Sequence, residues 1–199
     1  MGNREDLLAG AKHCLYEKGY GRTTARDIAT AAGVSLAAIG YHFGSKEALL
    51  NAAMMEATKE WGEAVDAAVL AAAEAAVTPE ERFVATWRRV GETFVEYRGL
   101  WAAQCEAIAQ IDRTPELRQV LAGAQRMARL ALAAMFQGQR EVPDSEEEYA
   151  LGTFYQALLA GYAIQWLLDP EQAPTGELFL EGLQLASARV LGRPVEVPE

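Results

Sequence analysis

At 199 residues, 51% of them hydrophobic, the chain is long enough for one compact domain or two small ones sharing a core, and too apolar for a disordered tail. Its net charge of −10 excludes a protein that wraps nucleic acid over its whole surface. The charge is unevenly placed, however: residues 1–46 hold six basic side chains (Arg4, Lys12, Lys18, Arg22, Arg26 and Lys46) against four acidic ones, a local positive excess beside a strongly acidic remainder.

Alanine and leucine dominate long segments and β-branched runs are scarce, which predicts an all-α fold of about nine helices. Leu7, Leu8, Ala11, Leu15 and Tyr16 form the apolar stripe of a first helix over 4–18, ended by Gly19 and Gly21. Thr24 and Asp27 make a T-x-x-D capping box that opens a second helix, with Ile28, Ala29 and Ala32 on its buried face. Gly33 stands where the chain must turn sharply, and Val34 plugs the gap between helices. Ser35 caps a short third helix over 36–43, Gly44 breaks it, and Ser45 caps a long helix running from Lys46 to about Val77. Pro79 starts the next helix, with Phe83, Trp87, Val90, Phe94 and Tyr97 on one face. Gly99 interrupts, and Trp101, Cys105, Ile108 and Ile111 resume a similar stripe.

Thr114-Pro115-Glu116 opens a helix with Leu117, Leu121, Ala124, Ala128, Ala131 and Met135 on one side, followed by a loop over 138–144. Ser145 leads into a helix that carries no charge from Tyr149 to Leu168. That run is as long as a membrane span, but Gln156, Gln165, Thr153, two glycines and acidic flanks without a basic anchor point instead to a helix buried in a subunit interface, with Leu159 inside it. Thr175 begins a final helix that Gly192-Arg193-Pro194 ends. The cysteines Cys14 and Cys105 lack C-x-x-C spacing, and the amino terminus has no apolar signal core. The expectation is buried, reduced thiols in a cytoplasmic protein.

The stretch from Thr23 to Leu50 has the layout of a helix-turn-helix. A reader of B-DNA places a slim helix in the major groove and holds it there by phosphate contacts. Ala37, Ala38 and Gly40 allow a close backbone approach, Leu36, Ala37, Tyr41 and His42 face the duplex, and Ile39 and Phe43 anchor the helix inward. Thr24, Arg26, Ser35 and Lys46 are placed for phosphates, Lys46 at a helix N-terminus.

Thr24, Arg26, Asp27, Ile28, Ala29, Ala32, Gly33, Val34, Ser35, Tyr41, His42, Phe43, Ser45, Lys46 and Leu49 together carry a resemblance. The region from Leu7 to Leu50 resembles the DNA-binding region of TetR-family transcriptional regulators; beyond residue 50 only helix number and length are similar. Family members often carry glycine where this chain has Ala37, and a large residue, commonly tyrosine, where it has Gly40. The contact made by that large residue is not carried over, which leaves more of the reading to Leu36 and Tyr41. The resemblance implies a ligand-responsive repressor with a DNA-binding domain over 1–46 and a ligand-binding and dimerisation domain over 47–199. It also implies a homodimer through the last two long helices and a palindromic double-stranded operator read by helices about 34 Å apart or more. Release would follow when a small effector, held among the middle helices, changes the spacing of the two heads.

Aromatic stripes ordinarily build core, but the concentration between 83 and 101 is rich for packing alone. An apolar, aromatic-lined cavity with a few polar groups is the usual form of a small-molecule site. The candidate lining is Trp87, Phe94, Trp101, Gln104, Cys105, Met127, Tyr155 and Trp166, with Glu106, Gln125 and Tyr162 as further members. Glu106 or Asp112 beside aromatics would favour a cationic effector over a purely apolar one. No metal or cofactor is expected. The only histidines are His13 and His42, no E-x-x-H pair exists, and nucleophile-elbow, phosphate-loop and dinucleotide glycine patterns are missing, so an enzyme is disfavoured. The remaining alternative is a helical adaptor that binds only protein, for which the reader helix would be incidental.

Overall fold

The computed structural model describes residues 3–73, 78–113 and 115–192. Its elements are α1 (Asn3–Lys18), α2 (Ala25–Ala32), α3 (Ala37–Phe43), α4 (Lys46–Ala73), α5 (Pro79–Glu96), α6 (Arg98–Ala109), α7 (Pro115–Gln137), α8 (Glu146–Leu168) and α9 (Gly176–Leu191), with short 3-10 turns at Ile111–Arg113 and Pro170–Gln172. Among the described residues there is no strand, and the fold is all-α with nine α-helices. The expected continuation of α4 to Val77, the Thr114 start of α7 and the Arg193-Pro194 ending of α9 lie outside the described residues. No described helix is long and apolar enough to cross a membrane.

The chain forms two compact units, Met1–Ala64 with Phe94–Arg126, and Val65–Thr93 with Met127–Glu199. The cuts between them, at 64/65, 93/94 and 126/127, lie away from the expected 46/47 boundary. The first helices bury Leu7, Ala11, Leu15 and Ile28 in a core that also takes in Leu49, Leu50 and Met54 of α4 and Leu100, Ala103 and Ala107 of α6. The helix-turn-helix is therefore one corner of a larger packed unit.

Two glycines explain how the helices of the first unit approach. A Cβ at Gly10 would sit 2.9 Å from the Ala32 nitrogen and 3.1 Å from the Ile28 carbonyl oxygen, so α1 lies directly on the backbone of α2. Gly99 does not break a helix as expected: it occupies the first turn of α6, and the interruption is Tyr97. Its lack of a side chain admits α1, since a Cβ there would lie 2.9 Å from Tyr16 Cα. The third helix also starts differently from expectation. Leu36 is its N-cap and no side chain caps it; Ser35 contributes its carbonyl, which accepts from Ala38 N at 3.0 Å.

The second unit is built on aromatic rings. Trp87 packs against Phe136, Tyr162 and Phe179, with centroids 5.2, 5.6 and 4.3 Å away, and Phe136 stacks on Tyr155 at 4.1 Å. Gly152 lets α8 meet the Arg129 backbone, and Arg129 then donates to Gln156 Oε1 at 2.9 Å and contacts the Tyr149 hydroxyl. The α7 stripe holds at its ends and departs between them: Leu117 and Met135 are buried, Leu121, Ala124 and Ala128 are half-buried, Ala131 is exposed, and Leu132, Ala133, Ala134 and Phe136 are buried beside Met135. Leu159 also departs. It is buried within its own chain, on the same side of α8 as Gly152, Tyr162, Ala163 and Trp166.

Local capping is as expected elsewhere. Asp27 N donates to Thr24 Oγ1 at 3.2 Å and Thr24 N to Asp27 Oδ2 at 3.0 Å, closing the capping box. Lys18 Nζ donates to Asp27 Oδ1 at 2.6 Å. The Lys18 ammonium, then the Thr24 hydroxyl and N–H, hold the Asp27 carboxyl well below the usual carboxylate range. A carboxyl whose folded pKa is depressed stabilises above its unfolded pKa, about 4, and that contribution is lost as pH falls through the folded value. Asp27→Asn is expected to lower the thermal midpoint near pH 7, and the gap from the parent is expected to shrink in melts taken from about pH 5 to about pH 3. A gap that does not change with pH would show that the Asp27 charge contributes nothing.

Candidate nucleic-acid interface

The turn between α2 and α3 follows from one residue. Gly33 adopts φ 67°, and its N–H and that of Val34 return to the carbonyls of Thr30 and Ala29 at 3.2 and 3.1 Å, closing the end of α2 in the left-handed conformation that glycine takes without strain. The short α3 then turns Ala38 and Ile39 into the core and leaves Leu36, Ala37, Gly40 and Tyr41 exposed. Tyr41 is 86% exposed, its ring edge-on to His42 at 4.9 Å. His42 and Phe43 are half-buried, and the Arg4 guanidinium lies 5.2 Å over the Phe43 ring. Ser35, Thr24 and Arg26 are also exposed, Thr24 and Arg26 at the start of α2.

Lys46 is less available than its position at a helix N-terminus suggested. Its Nζ donates to the Thr23 carbonyl at 3.0 Å and lies 3.3 Å from Glu47 Oε1, so it ties the first residue of α4 to the entry of α2. Two other basic residues of the segment also have internal partners: Lys18 with Asp27, and Lys12 with Glu60 at 2.5 Å. Arg22 donates from Nε to the Lys18 carbonyl at 2.8 Å and is exposed.

The turn from α1 to α2 holds a contact that the sequence did not reveal. Both oxygens of Glu106, on α6, accept backbone N–H groups: Tyr20 N at 2.8 Å and Gly21 N at 2.9 Å. Gly19, at φ 82°, and Gly21 leave room for this carboxylate; a Cβ on Gly19 would collide with it, and one on Gly21 would lie 2.8 Å from Oε1. The Tyr20 hydroxyl donates to Asn51 Oδ1 at 2.8 Å in the interior, so the same turn is tied to α4. Glu106 therefore faces the turn and not a ligand lining. The spacing Gly19-Tyr20-Gly21 was the available signal, but it reads equally well as a plain helix stop.

The eight expected effector residues divide evenly between the two units. In the first, Phe94 and Trp101 stack at 4.7 Å and 6°, Trp61 meets Trp101 edge-on at 4.9 Å, and Gln104 Nε2 donates to Thr58 Oγ1 at 3.0 Å. Cys105 is half-buried, and burial pushes its thiol pKa up. In the second unit Trp87 and Trp166 are buried and Tyr155 is half-buried. Met127 is 78% exposed, so it does not belong to a buried lining. Tyr162 joins the Trp87 cluster, Gln125 is half-buried, and Asp112 pairs with Arg118. The indole Nε1 atoms of Trp87 and Trp101 are buried, with no hydrogen-bond partner among the described residues.

Residues 7–53 match the family described as bacterial regulatory proteins, tetR family. That match is confined to the first three helices and the start of α4. Over 65 residues it is 38% identical to the HTH-type transcriptional repressor AcnR of Corynebacterium efficiens, a match that spans 33% of this chain and 35% of that repressor. The curated relatives are thus matched over about a third of their length. Likeness of fold extends further. A transcriptional regulator from Rhodococcus sp. Rha1 superposes with a TM-score of 0.66 at 18% identity, covering 98% of this chain and 99% of that one. The multidrug binding protein EbrR, complexed with imidazole, superposes with a TM-score of 0.64 at 24% identity, covering 100% and 98%. The region matched to the TetR family includes the whole of α2, α3 and the Gly19-Tyr20-Gly21 turn.

Glu106→Gln keeps one acceptor oxygen and turns an NH2 toward the other donor. It is expected to speed amide exchange at Tyr20 and Gly21 selectively and to lower the thermal midpoint by about 2–4 °C, the effect of losing about 1 kcal/mol in a chain of this size. Unchanged exchange at both amides would show that the carboxylate does not hold the turn.

Proposed function

We propose that this chain is a ligand-responsive transcriptional regulator: a repressor that binds a palindromic double-stranded operator as a homodimer and is released by a small, largely apolar or cationic effector. It needs no cofactor and works in the cytoplasm. The observation that carries the reading is the helix-turn-helix itself. A capped α2 and a left-handed Gly33 lead into a short helix with small residues and Tyr41 exposed, inside the region that matches the family. Thr24, Arg26, Ser35, Tyr41, His42 and Lys46 are the proposed phosphate and groove contacts, with Leu36 and Ala37 toward the bases. The functional head remains residues 1–46, although it packs as part of a larger unit.

Dimerisation is supported by the free side of α8. Phe154, Ile164 and Leu168 are 39, 53 and 80% exposed, and they lie with Ala150, Ala157 and Gly161 at alternating spacings of four and three, one continuous apolar stripe. Exposed Leu178, Leu185 and Val190 on α9 add to it. Such a surface marks an interaction face, and a symmetric pair of copies covers it with itself.

DNA selected from a random pool by the full chain is expected to contain an inverted repeat. Tyr41→Ala should weaken binding to it about tenfold or more with an unchanged melting curve, while Ile164→Glu should yield a folded monomer in sedimentation that has lost high-affinity binding. Parent-like binding by Tyr41→Ala would remove α3 from the interface, and an intact Ile164→Glu dimer would remove α8.

Effector binding is supported by two indole donors buried among aromatic rings with no partner among the described residues, and by the likeness of fold to a protein complexed with imidazole. Small apolar and cationic compounds that raise the melting temperature are the expected hits. Trp87→Phe or Trp101→Phe replaces the indole by a smaller phenyl ring, removing the donor and leaving a small cavity. One of the two is expected to cost about fivefold in affinity for a hit, while both unliganded variants fold with a lowered melting temperature. Hits that bind both variants like the parent would exclude the indoles from the site.

A further inference from the structure

The exposed surface of the reader is unusual in what it lacks. Residues 34–43, VSLAAIGYHF, contain no Arg, Lys, Asn, Gln, Asp or Glu. Those six side chains make the hydrogen-bonded contacts that single out guanine, adenine and cytosine in the major groove. The fully exposed residues of this segment are Ser35, Leu36, Ala37, Gly40 and Tyr41, Gly40 without a side chain, and the half-buried His42 lies beside Tyr41. Ser35 pairs with any base, and Tyr41 lies at the far end of the helix.

Base edges are read mainly by the N-terminal residues of a recognition helix. Here that end is Leu36 and Ala37. Leu36 is 52% exposed in helical conformation at φ −56° and ψ −34°, and no side chain caps the helix end it occupies. Ala37 and Gly40 lie one and four residues further on, and a Cβ built on Gly40 meets nothing within 4 Å. The helix can thus sit close to the groove floor with Leu36 leading. The apolar group on the major-groove edge of the four base pairs is the C5-methyl of thymine.

Resting on the reading of α3 as the DNA reader, we infer that this protein recognises its operator through thymine: Leu36, supported by Ala37, packs against thymine C5-methyl groups, and no bidentate hydrogen bond from α3 selects guanine or adenine. The operator half-site contacted by this end of the helix is accordingly rich in A·T pairs, with thymine fixed on one strand.

The test uses the full chain and the DNA it enriches from a random pool. Each enriched thymine is replaced by deoxyuridine, which removes only the methyl group. At one or two positions of each half-site, uracil is expected to weaken binding about fourfold per methyl removed, the effect of exposing one buried methyl group. Leu36→Ala is expected to lose the same factor on the thymine operator and to bind thymine and uracil forms equally. Tyr41→Ala, although weaker overall, is expected to keep the discrimination. Leu36 is exposed, so melting of Leu36→Ala should match the parent and exclude a folding defect. An enriched site whose uracil forms all bind like the parent, or a Leu36→Ala protein that still discriminates, overturns the inference while leaving operator binding standing. A pool that yields no enriched sequence overturns the operator reading and this inference with it.

Discussion

The head of this protein is held by a carboxylate. The turn that joins α1 to α2 presents two adjacent backbone N–H groups, and donors of this kind must find an acceptor when a neighbouring helix covers them. Glu106 supplies both of its oxygens from α6, at 2.8 and 2.9 Å. The placement of α2, and through Gly33 that of α3, is referred to this turn. Further ties converge on it: Tyr20 with Asn51 and Thr23 with Lys46, both of which reach α4. A short reader helix of seven residues has little stability of its own, so its geometry is inherited from these ties.

The second unit follows a different logic. Its core is a set of rings around Trp87 and Phe136, which fill space with few degrees of freedom and leave the Trp87 indole N–H without a partner among the described residues. Its α8 helix is apolar on two sides. One side, through Leu159, Tyr162 and Trp166, completes the unit; the other, through Phe154, Ile164 and Leu168, faces outward. Two apolar faces on one helix explain why the segment is uncharged over so long a run without being a membrane span.

Much of the first three helices was legible in the sequence because the signals are local. The T-x-x-D box at Thr24, the glycine at 33 and the alternation of buried positions from Leu7 to Ile28 each act within a few residues. Ser35 misled because Ser is so common a cap, whereas here only its carbonyl takes part. Gly99 misled for a different reason: a glycine within an apolar stripe looks like a stop, and its purpose, admitting Tyr16, lies far away in the chain. Leu159 was assigned to the wrong surface because a helix with two apolar faces gives no periodicity to separate them. The role of Glu106 was out of reach, since a lone glutamate on an amphipathic helix carries no mark of the backbone amides it meets.

The Glu106 turn also bears on how this protein can be taken apart. The residues that match the family's pattern end at position 53, yet the acceptor that completes their first turn sits in α6, 86 residues beyond Tyr20. A chimera that grafts residues 1–46 onto a foreign body would bring Gly19 and Gly21 without the group they make room for, and a foreign head bearing side chains there would collide with Glu106. The natural cutting lines of this chain therefore run around α6, which has to be inherited together with the head.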